Sequence, residues 1–364
     1  MHKTSAWPLS LLYVGLVVYA SLYPFTDWRY QGIMPWAFLG SPWPRYWSGA
    51  DVAINVLGYM PLGFLLALSR WRSGHLRFAA LTATLAAAAL SLVMESLQSY
   101  LPARVPSQVD WALNSLGAGL GAAVAGLMET LGVIDRWSRF RARWFVPQAR
   151  GGLVLLALWP LALLFPAAVP FGLGQVFERL ESALAEWLSD TPWLEWLPVR
   201  DVELQPLVPG MEMVCVTLGL LIPCLLGYCI IRQLRHRLLF TGAVFALGLA
   251  ATALSAALSY GPEHSWAWFG VPVRAGMMGA MLLAAALLWL PPRASAALLL
   301  LALGVYLSLL NQAPTSPYFA QTLATWEQGR FIRFNGIAQW LGWLWPYAAL
   351  IYVLARVWGR EQKN

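Results

Sequence analysis

The sequence predicts an all-α polytopic membrane protein, and three observations lead to that fold class. Of the 364 residues, 59% are hydrophobic and only 11% are charged, and the mean hydropathy is +0.59. Ordinary soluble domains carry about 25% charged residues. The apolar residues are gathered into runs of about 20, which is the length that an α-helix needs to cross a bilayer. This composition excludes a soluble globular enzyme, a disordered protein and a secreted disulfide scaffold.

Ten apolar runs predict about ten transmembrane helices. In chain order, the predicted spans are 7–25, 52–69, 78–100, 111–131, 151–171, 211–231, 238–259, 272–290, 295–311 and 337–356. The first run is too long for a cleaved signal peptide and lacks a small-residue cleavage site. In the fifth span, Pro160, Pro166 and Pro170 predict a kinked or broken helix.

The basic residues predict the orientation of these spans. With the N-terminus inside, sixteen of the 24 Lys and Arg residues lie on inner segments and eight lie on outer segments. Because inner loops of membrane proteins carry an excess of Lys and Arg, we expect both termini inside, an N-in/C-in topology. Membrane topology thereby accounts for the net charge of +7, and we expect no nucleic-acid partner.

A basic stretch, 135–150, divides the chain. We expect a four-helix unit at 1–134, a basic cytoplasmic loop at 135–150 and a six-helix membrane unit at 151–364. The last of these includes an outer amphipathic segment, 173–210, which is rich in acidic residues. The apolar face of this segment consists of Phe177, Leu180, Leu184, Trp187 and Leu188. It is expected to lie on the outer leaflet as an interfacial helix or to bind a membrane-protein partner.

The four-helix unit contains an internal repeat. Residues 45–58 and 104–117 are identical at seven of fourteen positions, at a constant offset of 59. The identical pairs are Arg45/Arg104, Ser48/Ser107, Asp51/Asp110, Ala53/Ala112, Asn55/Asn114, Leu57/Leu116 and Gly58/Gly117. Both copies begin a span that runs from outside to inside, so they predict a parallel repeat.

Helix capping explains part of this repeat. Each copy contains a Ser-x-x-Asp pair that resembles a capping box, in which side chains bind the free N–H groups at a helix start. These pairs are Ser48–Asp51 and Ser107–Asp110. Capping does not explain Asn55 and Asn114, which lie one turn after the aspartates on the same helix faces. They predict either an interhelical hydrogen bond or the wall of a polar cavity.

A glutamate in the third span is the most unusual residue of the unit. Glu95 lies inside the apolar run LSLVMESLQSYLP, with Gln98 on a similar helix face. A carboxyl group at this depth is costly unless it is paired or hydrated, which makes Glu95 a candidate functional residue. We expect Arg104 or Arg45 as its partner. The alternative is a purely structural Glu–Arg pair.

These residues form one candidate site at the outer ends of spans two to four. We predict catalytic roles for Glu95, Asp110 and Asp51. We predict substrate binding by Arg45, Arg104, Asn55, Asn114, Gln98 and Ser107. Arginine binds phosphate and carboxylate groups, and a buried carboxyl group acts as a general acid or base. No metal site and no cofactor is predicted, and the sequence contains no P-loop, hydrolase or metalloprotease motif.

The spacing of these polar residues resembles the VanZ-like family of membrane proteins over residues 10–132. The matching motifs are Glu95-x-x-Gln98, Arg104, Asp110-x-x-x-Asn114-x-x-Gly117-x-x-x-Gly121, Asp51-x-x-x-Asn55 and Pro61-x-Gly63. The namesake of this family is associated with resistance to the glycopeptide teicoplanin. The resemblance therefore implies a role in the bacterial cell envelope and a multi-pass location in the cytoplasmic (inner) membrane. The six spans after residue 150 exceed a minimal VanZ-like unit.

Three functions are compatible with this sequence. In the first, the site binds or modifies a lipid-linked or amphiphilic envelope substrate at the outer leaflet, with a link to teicoplanin-type resistance. In the second, the protein is a non-catalytic accessory or scaffold protein, and the polar residues only hold helices together. In the third, it is a transporter or flippase of envelope lipids or glycans. The sequence does not decide whether the protein is an enzyme.

Overall fold

The computed structural model describes residues 6–23, 25–42, 49–74, 78–165, 167–196, 204–205, 207–314 and 332–361. Within these ranges the regular secondary structure is helical. Phe145 and Ile231 additionally form an isolated antiparallel β-bridge. The predicted all-α class is confirmed.

Twelve α-helices occur in the described residues, and we number them in chain order. They are α1 (Ala6–Leu22), α2 (Gly49–Arg72), α3 (Ala79–Gln98), α4 (Gln108–Thr130), α5 (Val133–Trp144), α6 (Arg150–Ala162), α7 (Phe177–Leu188), α8 (Pro209–Ile230), α9 (Leu234–Tyr260), α10 (Val271–Ala286), α11 (Pro292–Leu310) and α12 (Ile332–Glu361). Short 3₁₀ turns lie at Ala37–Gly40, Pro192–Trp196, Pro262–His264 and Leu287–Trp289.

Eight of the described helices are long and apolar enough to cross a membrane: α2, α3, α4 and α8 to α12. Two further apolar helices, α1 and α6, are shorter, with 17 and 13 residues. Each of the ten predicted spans overlaps one of these ten helices, and the protein is a multi-pass membrane protein. Helix α6 ends at Ala162, two residues after Pro160, and the described residues of 163–176 are not helical. Helix α6 is therefore shorter than the apolar run, 151–171, from which the fifth span was predicted.

The chain forms two compact units, Met1–Phe140 and Arg141–Asn364, here called the N-terminal and C-terminal units. The basic segment 135–150, expected to be a loop, contains most of helix α5. The sequence explains why this segment is helical: four apolar residues recur at helical spacing along one face, namely Val133, Trp137, Phe140 and Trp144.

In the N-terminal unit, α2 and α4 run parallel and pack closely along their length. A methyl group on Gly117 would clash with the backbone carbonyl of Val56, and one on Gly121 would clash with that of Met60. From the other helix of the pair, Gly63 of α2 lies against the backbone of Ala118 of α4. Glycine permits this approach because it has no side chain, which is a common basis of helix association in membranes.

Helix α8 lies at the centre of the C-terminal unit, and 78% of its most apolar stretch is buried. Arginines bind the carbonyl groups at its C-terminal end, where the helix dipole is negative. Arg237, itself 6% exposed, donates to the carbonyls of Tyr228 and Ile231, and Arg356 donates to that of Cys229.

Helix α7 occupies the part of the chain where the sequence predicts an amphipathic segment. Its start is held by Asn311, which the sequence analysis does not place in the candidate site. The Asn311 Oδ1 atom accepts the backbone N–H groups of Val176 and Phe177, at 3.0 and 3.1 Å. Trp187, near the end of α7, is 79% exposed.

Candidate functional site

Ser107 begins helix α4 as an N-cap residue. Its hydroxyl oxygen accepts the backbone N–H groups of Val109 and Asp110, at 3.2 and 3.4 Å. The Ser107 backbone is extended, with φ −137° and ψ 129°, as is usual at this position. The capping role predicted for the serine of the second repeat copy therefore agrees with its hydrogen bonds.

Glu95 completes the cap of α4 from a different helix. The Glu95 side chain is buried in α3, and its Oε2 atom accepts the backbone N–H of Ser107 at 2.8 Å. In a capping box this N–H group is bound by the residue three positions after the serine, here Asp110. The carboxylate of Glu95 thus lies at the positive end of α4, where a negative charge is stabilised.

Asp110 binds the neighbouring repeat helix. Its Oδ1 atom accepts the side-chain amide of Asn55 at 2.8 Å, which joins α4 to α2. Both residues are half-buried. This is the interhelical hydrogen bond that the sequence predicts as one of two roles for Asn55.

Asn114 makes a different contact from its repeat counterpart. Its amide nitrogen donates to the Ser91 hydroxyl of α3 at 3.0 Å, in a fully buried bond. Its amide oxygen is buried with no hydrogen-bond partner among the described residues. The buried hydroxyl of Tyr59, in α2, likewise makes no hydrogen bond of normal geometry there, although Ser91 and Ser21 lie close to it and the Glu95 carboxyl acts on it electrostatically.

Gln98 and Arg104 bind the end of α1. The Gln98 amide donates to the Ser21 carbonyl at 3.0 Å, and the Arg104 guanidinium donates to the Tyr23 carbonyl. Both contacts fix the segment where α1 ends beside the second repeat copy.

The structure therefore brings together most of the predicted site. Five predicted residues and three hydroxyl residues form what we call the polar cluster, to which all four helices α1 to α4 contribute. Its members are Ser21, Asn55, Tyr59, Ser91, Glu95, Ser107, Asp110 and Asn114. Gln98 and Arg104 lie beside it and bind α1. Asp51 lies half-buried in the first turn of α2. Arg45 and Ser48 lie outside the described residues.

Three members of the polar cluster are missing from the sequence prediction: Ser21, Tyr59 and Ser91. A signal for Ser91 was present, because Ser91, Glu95 and Gln98 recur at positions i, i+4 and i+7 and share a helix face. Tyr59 likewise follows the predicted Asn55 by four residues, whereas no comparable pattern distinguishes Ser21. In the part of the chain that the structure describes, no group of three His, Cys, Asp or Glu residues is placed to hold a metal ion.

Fold and site together define a multi-pass helical membrane protein with a buried polar cluster in its first four helices. Residues 7–129, which contain the whole polar cluster and, except for one terminal residue at each end, α1 to α4, match the VanZ/LLP1 family model. The resemblance of this part of the chain to the VanZ-like family is confirmed, and it covers about a third of the 364 residues. Comparisons with curated proteins and with solved structures gave no match.

Proposed function

We propose that the polar cluster binds the polar part of a lipid-linked or amphiphilic substrate of the bacterial cell envelope, at the outer leaflet of the cytoplasmic membrane. One observation carries this proposal: the Asn114 amide oxygen and the Tyr59 hydroxyl, both on side chains close to Ser91, are buried and make no hydrogen bond of normal geometry with described residues. Buried polar groups are costly in a membrane-spanning bundle, and those that lack protein partners are candidates to bind a ligand.

The predicted roles follow from the chemistry of each group. Glu95 would transfer a proton as a general acid or base, since it is a buried carboxyl group at the start of a helix. Asp110 and Asp51 would orient the substrate, and Asn55, Asn114, Gln98 and Ser107 would bind its polar groups. Arg104, with Arg45 from the first repeat copy, would bind an anionic head group such as a phosphate.

The predicted topology gives the cluster its side of the membrane. With both termini inside, α2 and α4 begin at the outer face, so that Ser107 and Glu95 lie within reach of outer-leaflet substrates. Since the matched family is VanZ/LLP1, a change in sensitivity to teicoplanin-type glycopeptides is the cellular effect to test first.

The test compares the full chain with two single variants in a susceptible bacterial host. Glu95→Gln removes the charge but preserves the side-chain shape, and Ser96→Ala, one residue further along α3, serves as the matched control. The Ser96 hydroxyl donates only to the Leu92 carbonyl of its own helix among described residues. We expect the wild type and Ser96→Ala to alter teicoplanin sensitivity or the pool of lipid-linked envelope precursors, and Glu95→Gln to lose this effect at equal membrane abundance. An unchanged effect in Glu95→Gln would refute the proposal.

A second candidate function, that of a non-catalytic accessory protein, is favoured by a different observation. Several polar side chains of the site bind other parts of the same unit, as in the Asn55–Asp110 pair and the Gln98–Ser21 contact. In this case the outer segment 173–210 would bind a membrane-protein partner, and the exposed Trp187 would contribute to that surface. Loss of the cellular effect on deletion of residues 175–205, with Glu95→Gln silent, would support this function.

A further inference from the structure

Helix α5 is amphipathic, and the proposed function does not use it. Val133, Trp137, Phe140 and Trp144 lie along one face, at spacings of four, three and four residues. Trp137 is 53% exposed and Phe140 is 38% exposed. Their rings stack on each other with centroids 5.5 Å apart. Large aromatic side chains so exposed on a short helix indicate contact with an apolar environment outside the protein.

Arginines border this apolar face on both sides. At 3.6 residues per turn, Arg136, Arg139 and Arg143 follow one side and Arg141 lies on the other. Within the described part of the chain, none of these four arginines forms an ion pair. Their positive charge is therefore available to an external anion, and their long side chains can extend from the apolar face toward it.

An ion-pair network fixes the start of α5 from its opposite face. The Arg72 guanidinium, at the end of α2, contacts Asp135 of α5 at 3.1 Å and Glu129 of α4 at 3.3 Å. Asp135 lies away from the apolar face, so this contact leaves the side chain of Trp137 exposed. Because α5 begins three residues after α4 ends at Thr130, it starts at the end of the bundle where α2 and α4 end.

We propose that α5 lies in the membrane interface at this end of the bundle and binds anionic phospholipid. Trp137 and Phe140 insert among the upper acyl carbons, and Arg136, Arg139, Arg141 and Arg143 contact the phosphate groups. A basic helix with an aromatic face has the composition of interfacial helices, whose apolar face is buried about 5–10 Å into the boundary between head groups and acyl chains. The arginines select anionic over zwitterionic lipid because negatively charged membranes attract basic segments. An acidic soluble partner would satisfy the arginines but would leave no reason for the exposed aromatic rings.

The test measures the depth of single spin labels in the full chain reconstituted into nanodiscs. One label replaces Trp137 on the apolar face, in Trp137→Cys, and the control label replaces the exposed Ala142 on the opposite face, in Ala142→Cys. The three native cysteines are buried, and the parent chain serves to verify that they take no label. Nanodiscs contain either phosphatidylcholine alone or phosphatidylcholine with phosphatidylglycerol.

We expect the label at position 137 to be accessible to oxygen and shielded from a water-soluble nickel chelate when phosphatidylglycerol is present. It should become shallower in phosphatidylcholine alone, while the label at position 142 stays in water in both membranes. Combined replacement of Arg136, Arg139 and Arg143 by Gln should abolish the difference between the two membranes. Phe140→Cys provides a second reporter if Trp137→Cys does not fold.

Two results would overturn the proposal. The first is a label at position 137 that is as accessible to nickel as the label at position 142 in nanodiscs that contain phosphatidylglycerol. The second is equal depth in both lipid compositions, which would show insertion without selection of anionic lipid.

Discussion

Glu95 and Ser107 lie on different helices, and the carboxylate of Glu95 accepts the backbone N–H of Ser107 at 2.8 Å. The first residue of the α4 cap is therefore held by α3. This single bond connects a buried acid to the start of a repeat helix. It gives Glu95 a structural role that can be tested independently of any chemical role.

The first prediction concerns the two ways of removing the Glu95 charge. Glu95→Gln retains an oxygen that accepts the Ser107 N–H, so it should cost only about 0.3–1 kcal/mol from the lost charge at the helix start. Glu95→Ala leaves that N–H unsatisfied and should cost about 1–3 kcal/mol. Thermal unfolding in detergent, followed by circular dichroism, measures both. Equal destabilisation by the two substitutions would contradict the assigned bond.

The second prediction concerns the contact between Asn55 and Asp110. A double-mutant cycle of Asn55→Ala and Asp110→Ala should give a coupling energy of about 0.6 kcal/mol, the average for interhelical hydrogen bonds in membrane proteins, and at most about 1.7 kcal/mol. Unfolding by denaturant in mixed micelles measures the cycle. As a comparison, Asn55→Ala and Asn114→Ala should be additive, because the Asn114 side chain binds Ser91. Additivity of Asn55→Ala and Asp110→Ala would show that their contact contributes nothing.

The third prediction uses the two glycines at equivalent repeat positions. Gly117→Ala should destabilise the N-terminal unit strongly, because the added methyl group would clash with the carbonyl of Val56 and force α2 and α4 apart. Gly58→Ala should be tolerated or stabilising, because nothing lies within 4 Å of the added methyl group. Hydrogen exchange of α2 and α4 in nanodiscs distinguishes the two variants. If both glycines tolerate alanine equally, the close packing of α2 on α4 is wrong.

The fourth prediction concerns Arg237, the buried arginine that binds carbonyl groups at the C-terminal end of α8. Arg237 donates to the Leu288 and Leu290 carbonyls at 2.7 Å, in addition to its bonds to Tyr228 and Ile231. Arg237→Lys lacks the planar fork that reaches these carbonyls, and each buried acceptor left unsatisfied should cost about 1–3 kcal/mol. The exposed Arg235 provides a control, and Arg235→Gln should change stability by less than about 0.5 kcal/mol. A shift in unfolding temperature that is the same for both variants would contradict this role.

The helices were predictable because a bilayer requires about 20 apolar residues per crossing, a property that can be read directly from sequence. Helix α5 was assigned to a loop because its four arginines belong to a basic stretch between two apolar runs, although its periodicity is helical. Helix α6 is shorter than predicted because proline ends a helix without ending the apolar run.

The residue types of the candidate site were easier to predict than their partners. Glu95 binds a backbone N–H, which every residue except proline carries and which no sequence pattern marks, and its expected pairing with Arg104 or Arg45 stays a prediction. Ser91 was missed because serine hydroxyls in apolar helices usually bind the carbonyls of their own helix, and Tyr59 was missed because its ring also suits apolar packing. Asn55 and Asn114 were treated as equivalent, whereas one binds an aspartate and the other a serine.

The central position of α8 gives the protein a chemical reporter of local opening. All three cysteines of the chain, Cys215, Cys224 and Cys229, lie in this helix, and each is at most 1% exposed. Their thiols can react with an alkylating reagent only when the C-terminal unit opens, whereas opening of the N-terminal unit exposes no thiol. The rate of alkylation therefore measures the kinetic stability of one unit alone, without any engineered residue.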